Sequence, residues 1–271
     1  MSGNESSLSD VVRGARVYDL AHPLTGSTPV SAGDPPFRMG LVKRHSDGSG
    51  VGISGANELF TLGGHTGTHI DALCHAAFDG RLYGGVDAGE ASKGGRFTVL
   101  GVDSIEPFVC RGILLDVPAA AGRAALEGGD RVTADDLART CAAQGVSVGP
   151  VDAVLVRTAW PVGRFESEEL MRGTRSGVPG PDASAAQWLV EHGVRVTGAD
   201  TLAYEYLAPG AGHAELPVHV SLLVEHGVYI IEMLNLEELA ADRVYEFLFV
   251  AAPLKLVGAT GSPLRPLAIA S

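Results

Sequence analysis

Eleven consecutive residues, His65-Thr66-Gly67-Thr68-His69-Ile70-Asp71-Ala72-Leu73-Cys74-His75, hold three histidines and one aspartate between apolar flanks. In an extended chain, successive side chains point to opposite faces, so His65, His69 and Asp71 would share one face. Gly67 falls on the same face and leaves room there for an ion. The stretch therefore predicts a strand end that presents three metal-binding side chains together.

The residues after this strand supply a fourth group. A helical turn beginning at Ala72 would make Asp71 and His75 neighbours, since they are four positions apart. Imidazole and carboxylate ligands together suit zinc, manganese or ferrous iron, and the lack of a cysteine pair argues against a structural zinc knuckle. An isolated histidine on a strand is usually structural, but three of the chain's nine histidines in one short stretch favour a metal site.

The spacing His65-x-Gly67-Thr68-His69-x-Asp71-x-x-x-His75 resembles the signature of the metal-dependent cyclase family, which includes bacterial kynurenine formamidases and isatin hydrolases. The resemblance extends over roughly residues 17–265. It implies an α/β chain with the swivelling β/β/α fold in a single domain. It also implies a homo-oligomer.

Composition limits the class of protein. The chain has 271 residues, of which 45% are hydrophobic and 19% charged, as in a compact protein with a sizeable core. We expect a flexible leader over residues 1–15 and one domain over residues 16–271. The formal net charge of −12 argues against nucleic-acid and anionic-membrane partners and leaves a small-molecule substrate.

The cysteines indicate the compartment. Cys74, Cys110 and Cys141 are odd in number and lack the C-x-x-C spacing, which favours a reducing environment over a disulfide framework. The first sixteen residues lack the apolar core of a signal peptide, and no apolar run is long enough to span a bilayer. The sequence therefore predicts a cytoplasmic protein.

Apolar runs predict the main strands, and capping residues predict the helices between them. Buried strands are expected at residues 111–117, 152–158, 194–201 and 228–234, and a helix is expected from Thr133 to Gly145. Two further strands are expected at residues 244–251 and 254–257, followed by a Ser-Pro-Leu-Arg-Pro tail. These elements indicate an α/β or α+β domain.

A second informative position is Glu232, the one charge in the apolar run Val228–Leu234. A carboxylate in such a strand costs several kcal/mol unless it is paired or bound to a metal. An arginine partner would be one of Arg157, Arg195 and Arg265. The spacing His219-x-x-Leu222-Leu223 followed by Glu232 resembles the second motif of the cyclase family and favours the metal.

The resemblance also implies roles for these residues. One ion would be bound by His65, His69 and Asp71. Asp71 would bridge to a second ion bound by His219 and Glu232, although in isatin-hydrolase-like members the first site alone is filled. The resemblance implies zinc or manganese, as one or two ions, with His75 as general acid/base.

These residue types support hydrolysis. A divalent ion lowers the pKa of bound water to about 7, and a nearby base must take the water proton and return it to the leaving group. The sequence lacks the G-x-S-x-G elbow of a serine nucleophile. We therefore predict a metal-dependent hydrolase of a small amide or lactone, cyclic substrates included. The alternatives are kynurenine formamidase itself, a cyclisation enzyme, and a metal-binding module without catalysis.

Aromatic side chains in loops that the resemblance places near the site are candidates for substrate contact. They are Phe37, Tyr83, Trp160 and Tyr204.

Overall fold

Nine strands form one sheet in the computed structural model, which describes residues 14–31, 33–48, 52–164, 167–211 and 215–270. Across the sheet the order is β1-β15-β13-β7-β9-β11-β12-β4-β14. Residues 1–13 of the predicted leader lie outside the described residues. The strands of the sheet are β1 (Arg16–Asp19), β4 (His69–Asp71), β7 (Phe108–Asp116), β9 (Ala153–Arg157), β11 (Val196–Ala199), β12 (Tyr229–Glu232), β13 (Glu246–Ala251), β14 (Gly261–Pro263) and β15 (Leu267–Ala270).

The remaining strands form three short pairs outside this sheet. They are β2 (Arg38–Lys43) with β3 (Asn57–Thr61), β5 (Ser92–Lys93) with β6 (Arg96–Phe97), and β8 (Arg131–Val132) with β10 (Gly180–Pro181).

Seven α-helical segments accompany the strands in the part of the chain that the structure describes. They are α1 (Ala88–Ala91), α2 (Val117–Ala120), α3 (Ala134–Gln144), α4 (Glu168–Arg172), α5 (Ala183–Glu191), α6 (Pro217–His219, continued by a π-helical turn over Val220–His226) and α7 (Glu237–Ala241). Short 3₁₀ turns occur at His45–Asp47, Tyr83–Gly85 and Val102–Ser104. No helix in the described part of the chain is long and apolar enough to cross a membrane.

The centre of the sheet is parallel and its two sides are antiparallel. Strands β7, β9, β11 and β12 run in one direction, and α3, α5 and α6 lie in the connections between them. Strands buried on both faces read as continuous apolar runs, which is how β7 and β9 appear in the sequence. Their side chains do alternate in space, with Leu114 and Leu155 in one core and Ile113 and Val154 in the other.

The longest α-helix, α3, begins and ends where the sequence predicts. The Thr133 side chain accepts from the backbone N–H of Asp136, whose carboxylate accepts from the N–H of Thr133. Gly145 ends the helix in the left-handed conformation, with φ of 69°.

The C-terminal residues differ from the prediction. Residues 254–257 form no strand, whereas the segment after them, for which no strand was predicted, contributes β14 and β15 to the sheet. Both pair with strands remote in sequence, since β14 lies beside β4 and β15 lies between β1 and β13. The prolines of the tail obscured this pattern because Pro is tolerated in an edge strand such as β14 but weakens a strand prediction. Strands from Arg16 to Ala270 thus share one sheet, which makes the chain a single α/β domain.

One edge of the sheet positions the candidate site. Strand β4 lies between β12 and β14, antiparallel to both. His69 is opposite Glu232 on one side and Pro263 on the other. Asp71 is opposite Gly261. The register therefore brings the two motifs of the sequence together.

Candidate metal centre

Six acidic or imidazole side chains meet at this edge of the sheet. Strand β4 contributes two, the turns on either side of it contribute one each, and α6 and β12 contribute one each. All six were singled out from the sequence. They are His65, His69, Asp71, His75, His219 and Glu232.

The chain before β4 is a turn, which differs from the predicted continuous strand. Only His69–Asp71 is extended, and Gly67 has φ of 66°. A Cβ at Gly67 would lie 2.5 Å from Leu24 Cδ2, so both the conformation and the space require glycine. His65 reaches Asp71 because the turn folds back, and the shared face predicted for a strand is wrong for this residue.

Space for the His65 ring comes from the opposite strand. A Cβ at Gly261 would lie 2.5 Å from His65 Cε1. The His65 Nε2 atom is 3.0 Å from Thr260 Oγ1, and Nδ1 is 2.8 Å from Asp71 Oδ1. Strand β14, which the sequence did not predict, therefore shapes the site.

A turn and not a helix carries His75. Its backbone N–H donates to Ala72 O at 2.8 Å, and no described residue from 72 to 77 is helical. The His75 ring centroid lies 4.1 Å from that of His65 and 6.3 Å from that of His219. His75 is the most exposed of the six residues.

Two groups of potential ligand atoms share Asp71. His65, His69 and Asp71 form the first, and Asp71, His75 and His219 form the second, with the ligand atoms of each group within 4.8 Å of one another. His69 Nε2 is 3.5 Å from Asp71 Oδ1. His219 Nε2 is 3.7 Å from Asp71 Oδ2.

Glu232 bridges the two groups. Its Oε2 atom is 3.4 Å from His69 Nε2, and its Oε1 atom is 3.3 Å from His219 Nε2. Two atoms that ligate one ion at about 2.1 Å in a tetrahedron lie about 3.4 Å apart. The nitrogen–oxygen separations of 3.3–3.7 Å around His69 and His219 fit that geometry.

The arginines considered as partners for Glu232 lie in other ion pairs or ring contacts. Arg157 pairs with Asp116 and Glu237, and Arg265 pairs with Asp19. Arg195 lies over the ring of Phe108.

Hydrogen bonds orient two of the imidazoles. His69 Nδ1 donates to the carbonyl of Gly67 at 2.8 Å, which leaves Nε2 directed at the two carboxylates. His219 Nδ1 donates to Glu205 Oε1 at 2.7 Å, with the same result. Such outer contacts fix the tautomer that a metal ligand needs. The sequence analysis missed Glu205, whose loop contains no motif that marks it.

Charge in the site is unbalanced in favour of cation binding. Three buried carboxylates lie within 4 Å of the His219 ring nitrogens. They are Asp71, Glu205 and Glu232. Burial raises the pKa of Glu232 to about 7, and Asp71 adds to the rise while His219 opposes it. Burial opposes a charge on His219, yet hydrogen bonds to Glu205 and Glu232 raise its pKa to about 10. Burial lowers the pKa of His69 to about 4.

One buried atom tests whether a metal fits. Asp71 Oδ2 is fully enclosed and has no hydrogen-bond partner among the described residues. An unpaired buried carboxylate oxygen costs free energy unless a cation binds it. Neutral His69, the Nε2 atom of His219 and this oxygen are the donor types that zinc and manganese accept. The residues present therefore fit a divalent ion.

A cavity of about 370 Å³ opens above the cluster, a size suited to a small molecule. Its wall combines four of the histidines and Glu232 with residues of three loops. Apart from Arg172, which ends α4, these residues lie in loops: Ser31, Asp34, Thr174, Leu202, Ala203 and Leu216. A larger groove of about 700 Å³ lies between the β14–β15 region and residues 19–24, and none of the six cluster residues lines it.

The four aromatic candidates do not line the cavity above the cluster. Tyr204 is completely buried, and its hydroxyl lies 2.8 Å from Thr197 Oγ1 in the core. Trp160 is also buried and donates from Nε1 to Met171 O at 3.2 Å. Both aromatic side chains therefore pack in the interior of the protein and not in the cavity wall.

The other two aromatic candidates contact residues outside the cavity wall. Phe37 lies beside Phe60 of β3, with ring centroids 6.5 Å apart. The Tyr83 ring packs on Gly227, where a Cβ would lie 2.6 Å from Cζ.

Comparison with known proteins identifies one family. The sequence pattern of the cyclase family matches residues 18–206. A kynurenine formamidase of Bacillus cereus is 27% identical over 249 residues, which cover 91% of this chain and 94% of the relative. An isatin hydrolase of Roseibium aggregatum is 25% identical over 259 residues, covering 93% of this chain and 91% of the relative.

A solved structure supports the fold. The crystal structure of a protein described as a novel cyclase superposes with a TM-score of 0.84 and 29% identity, covering 98% of this chain and 91% of that one. The predicted α/β fold is therefore confirmed.

Proposed function

We propose, because the chain belongs to the cyclase family, that it is a metal-dependent hydrolase of a small amide or lactone, cyclic substrates included. The observation that carries the proposal is the enclosed, unpartnered Oδ2 of Asp71 between the imidazoles of two ligand groups. The names of the two relatives, kynurenine formamidase and isatin hydrolase, support hydrolysis of an amide bond.

The proposed ligands are the residues with buried or half-buried donor atoms. One ion would be held by His65, His69 and Asp71, and a second by Asp71, His219 and Glu232. Zinc and manganese are the proposed metals, in one or two copies. A bound ion would lower the pKa of a water molecule to about 7 and polarise the carbonyl of the substrate.

His75 is the proposed general acid/base. It lines the cavity, whereas Asp71 lies beneath it. The neutral imidazole takes the proton of the attacking water and returns it to the departing nitrogen or oxygen. Leu202 and Leu216 add apolar side chains to the cavity wall, and Arg172 and Thr174 add polar ones that could contact a substrate.

A substrate panel tests the reaction class. We expect the protein with added Zn²⁺ or Mn²⁺ to hydrolyse at least one of formylkynurenine, isatin and a dienelactone, measured by the change in ultraviolet absorbance. Preference for formylkynurenine would identify the formamidase alternative. Stoichiometric metal binding without turnover of any of the three substrates would instead support a metal-binding module.

We also propose a cytoplasmic homo-oligomer. The three cysteines form no disulfide, as in proteins of reducing compartments. The β2–β3 hairpin carries exposed Met39, Val42 and Phe60, with exposed fractions of 55–64%, and all residues of both strands are exposed. An isolated two-stranded hairpin is marginal in water, and apolar patches of this kind mark interfaces.

The hairpin provides a test of association. We expect Phe60→Lys to weaken self-association about 30-fold, which corresponds to about 2 kcal/mol for an aromatic residue at the centre of an interface. Light scattering coupled to size exclusion gives the mass at a series of concentrations. Val109→Lys, at an equally exposed apolar position on β7, is the matched control and should leave the mass unchanged. A monomeric wild-type protein would contradict the proposed oligomer.

A further inference from the structure

Glu205 is a buried carboxylate that accepts three hydrogen bonds from the start of α6. It is 1% exposed. Its Oε1 atom accepts from the backbone N–H of His219 at 2.8 Å and from Nδ1 of the same residue at 2.7 Å. Its Oε2 atom accepts from the N–H of Val218 at 3.1 Å. The carboxylate is therefore hydrogen-bonded to both the backbone and the ring of His219.

We infer that Glu205 is a positioning residue that holds the proton of His219 on Nδ1 and thereby directs Nε2 at Asp71 and Glu232. This inference rests on the proposed metal site. A carboxylate behind a ligating imidazole fixes the ring orientation and tautomer, and makes the nitrogen a better donor to the ion. The two atoms faced by His219 Nε2 are Glu232 Oε1 at 3.3 Å and Asp71 Oδ2 at 3.7 Å.

The segment that carries Glu205 is held rigidly. Tyr204 has φ of 54°, a left-handed conformation that a bulky residue adopts only under constraint. Its hydroxyl bonds to Thr197 in the core, and its carbonyl lies so close to β10 that a Cβ on Gly180 would be 2.4 Å from it. The strained backbone is the arrangement that aims Glu205 at His219.

Helix capping is the competing role, because the N–H groups of Val218 and His219 lie in the first turn, where no carbonyl of the helix can accept from them. Asp182 performs that role alone on α5, where its carboxylate accepts from Ser184 and Ala185 at 2.9 and 3.1 Å. The hydrogen bonds of the Asp182 carboxylate are to Ser184 and Ala185, which lie outside the metal centre. A cap explains the backbone contacts of Glu205 but assigns no role to its bond with the ring.

The test compares Glu205→Gln with Asp182→Asn in the full chain. Titration calorimetry of the metal-free proteins with Zn²⁺ should show binding weakened about 10–100-fold in Glu205→Gln. Asp182→Asn should bind Zn²⁺ like the wild type while unfolding at a lower temperature. Equal Zn²⁺ affinity in Glu205→Gln and the wild type would overturn the inference.

A second measurement needs no variant. Long-range ¹H–¹⁵N correlation spectra of the Zn²⁺-loaded wild type should show the His219 proton on Nδ1, whereas ligation through Nδ1 would overturn the inference even if Glu205→Gln fails to fold. Absence of Zn²⁺ binding by the wild type would reject the proposed function itself. Binding that is unaffected by Glu205→Gln would reject only the role of Glu205.

Discussion

Asp71→Asn is expected to remove the bound metal and to lower kcat/KM by about 10³–10⁴-fold, equivalent to several kcal/mol of lost metal assistance. Asp71 belongs to both ligand groups, and its Oδ2 atom has no hydrogen-bond partner among the described residues. The amide keeps the shape of the side chain but loses the charge that a divalent ion requires. Elemental analysis and turnover are measured on the same preparation.

Asp200→Asn is the matched control, since Asp200 is an equally buried aspartate outside the cluster. Its carboxylate accepts from the backbone of Thr158 at 3.0 Å and of Ala159 at 2.8 Å. This variant should lose stability and retain metal. Metal content that falls equally in both variants would mean that Asp71 acts through folding, and unchanged metal in Asp71→Asn would reject its role as ligand.

His75→Ala is expected to keep at least one metal ion and to lower kcat/KM by about 10²–10⁴-fold, the usual contribution of a positioned general acid/base. His65, His69 and Asp71 can hold an ion without His75. His75 could also complete the second group with Asp71 and His219, and only the combined measurement separates the two roles. A fourth protein ligand would occupy the position that water needs.

His226→Ala serves as the control, because this exposed histidine bonds only to the backbone of Ser221 in its recorded contacts. It should match the wild type in metal content and turnover. Loss of metal together with activity in His75→Ala would show that His75 is a ligand. Unchanged turnover would show that His75 has no role in catalysis.

The pH profile adds a further readout for His75. Desolvation lowers the pKa of this imidazole, neighbouring His65 and His219 lower it further, and Asp71 opposes them in part. A base must be neutral, so the activity is present above this lowered pKa and is lost as the pH falls through it. The acid limb of kcat/KM in the wild type should lie below the ordinary histidine value of 6.5 and disappear in His75→Ala.

The sequence predicted the members of the cluster because local chemistry identified them. A carboxylate within the apolar strand β12 required a partner, and the structure places Glu232 beside His69 and His219. The helix ending at Gly145 and the buried strand β9 were also predictable, since their signals lie within a few consecutive residues.

Features set by contacts remote in sequence were not predictable. Gly261 and Thr260 contribute to the site only because β14 pairs with β4. Two prolines in this segment weakened the signal for a strand in the sequence. Glu205 acts through a strained loop whose conformation depends on Gly180. The position of Tyr204 in the core was not predictable either, because proximity of a loop does not determine which way its side chains point.

The register at the edge of the sheet has a consequence for how the protein matures. Strand β4 is translated long before its neighbours β12 and β14, which end at Glu232 and Pro263. A nascent chain therefore displays the first histidines long before the carboxylate and the glycine that complete their surroundings exist. Because metal sites are rarely formed in unfolded chains, an ion at the proposed centre would bind only after β12 and β14 have paired with β4, and metal supply would not guide the earlier steps of folding.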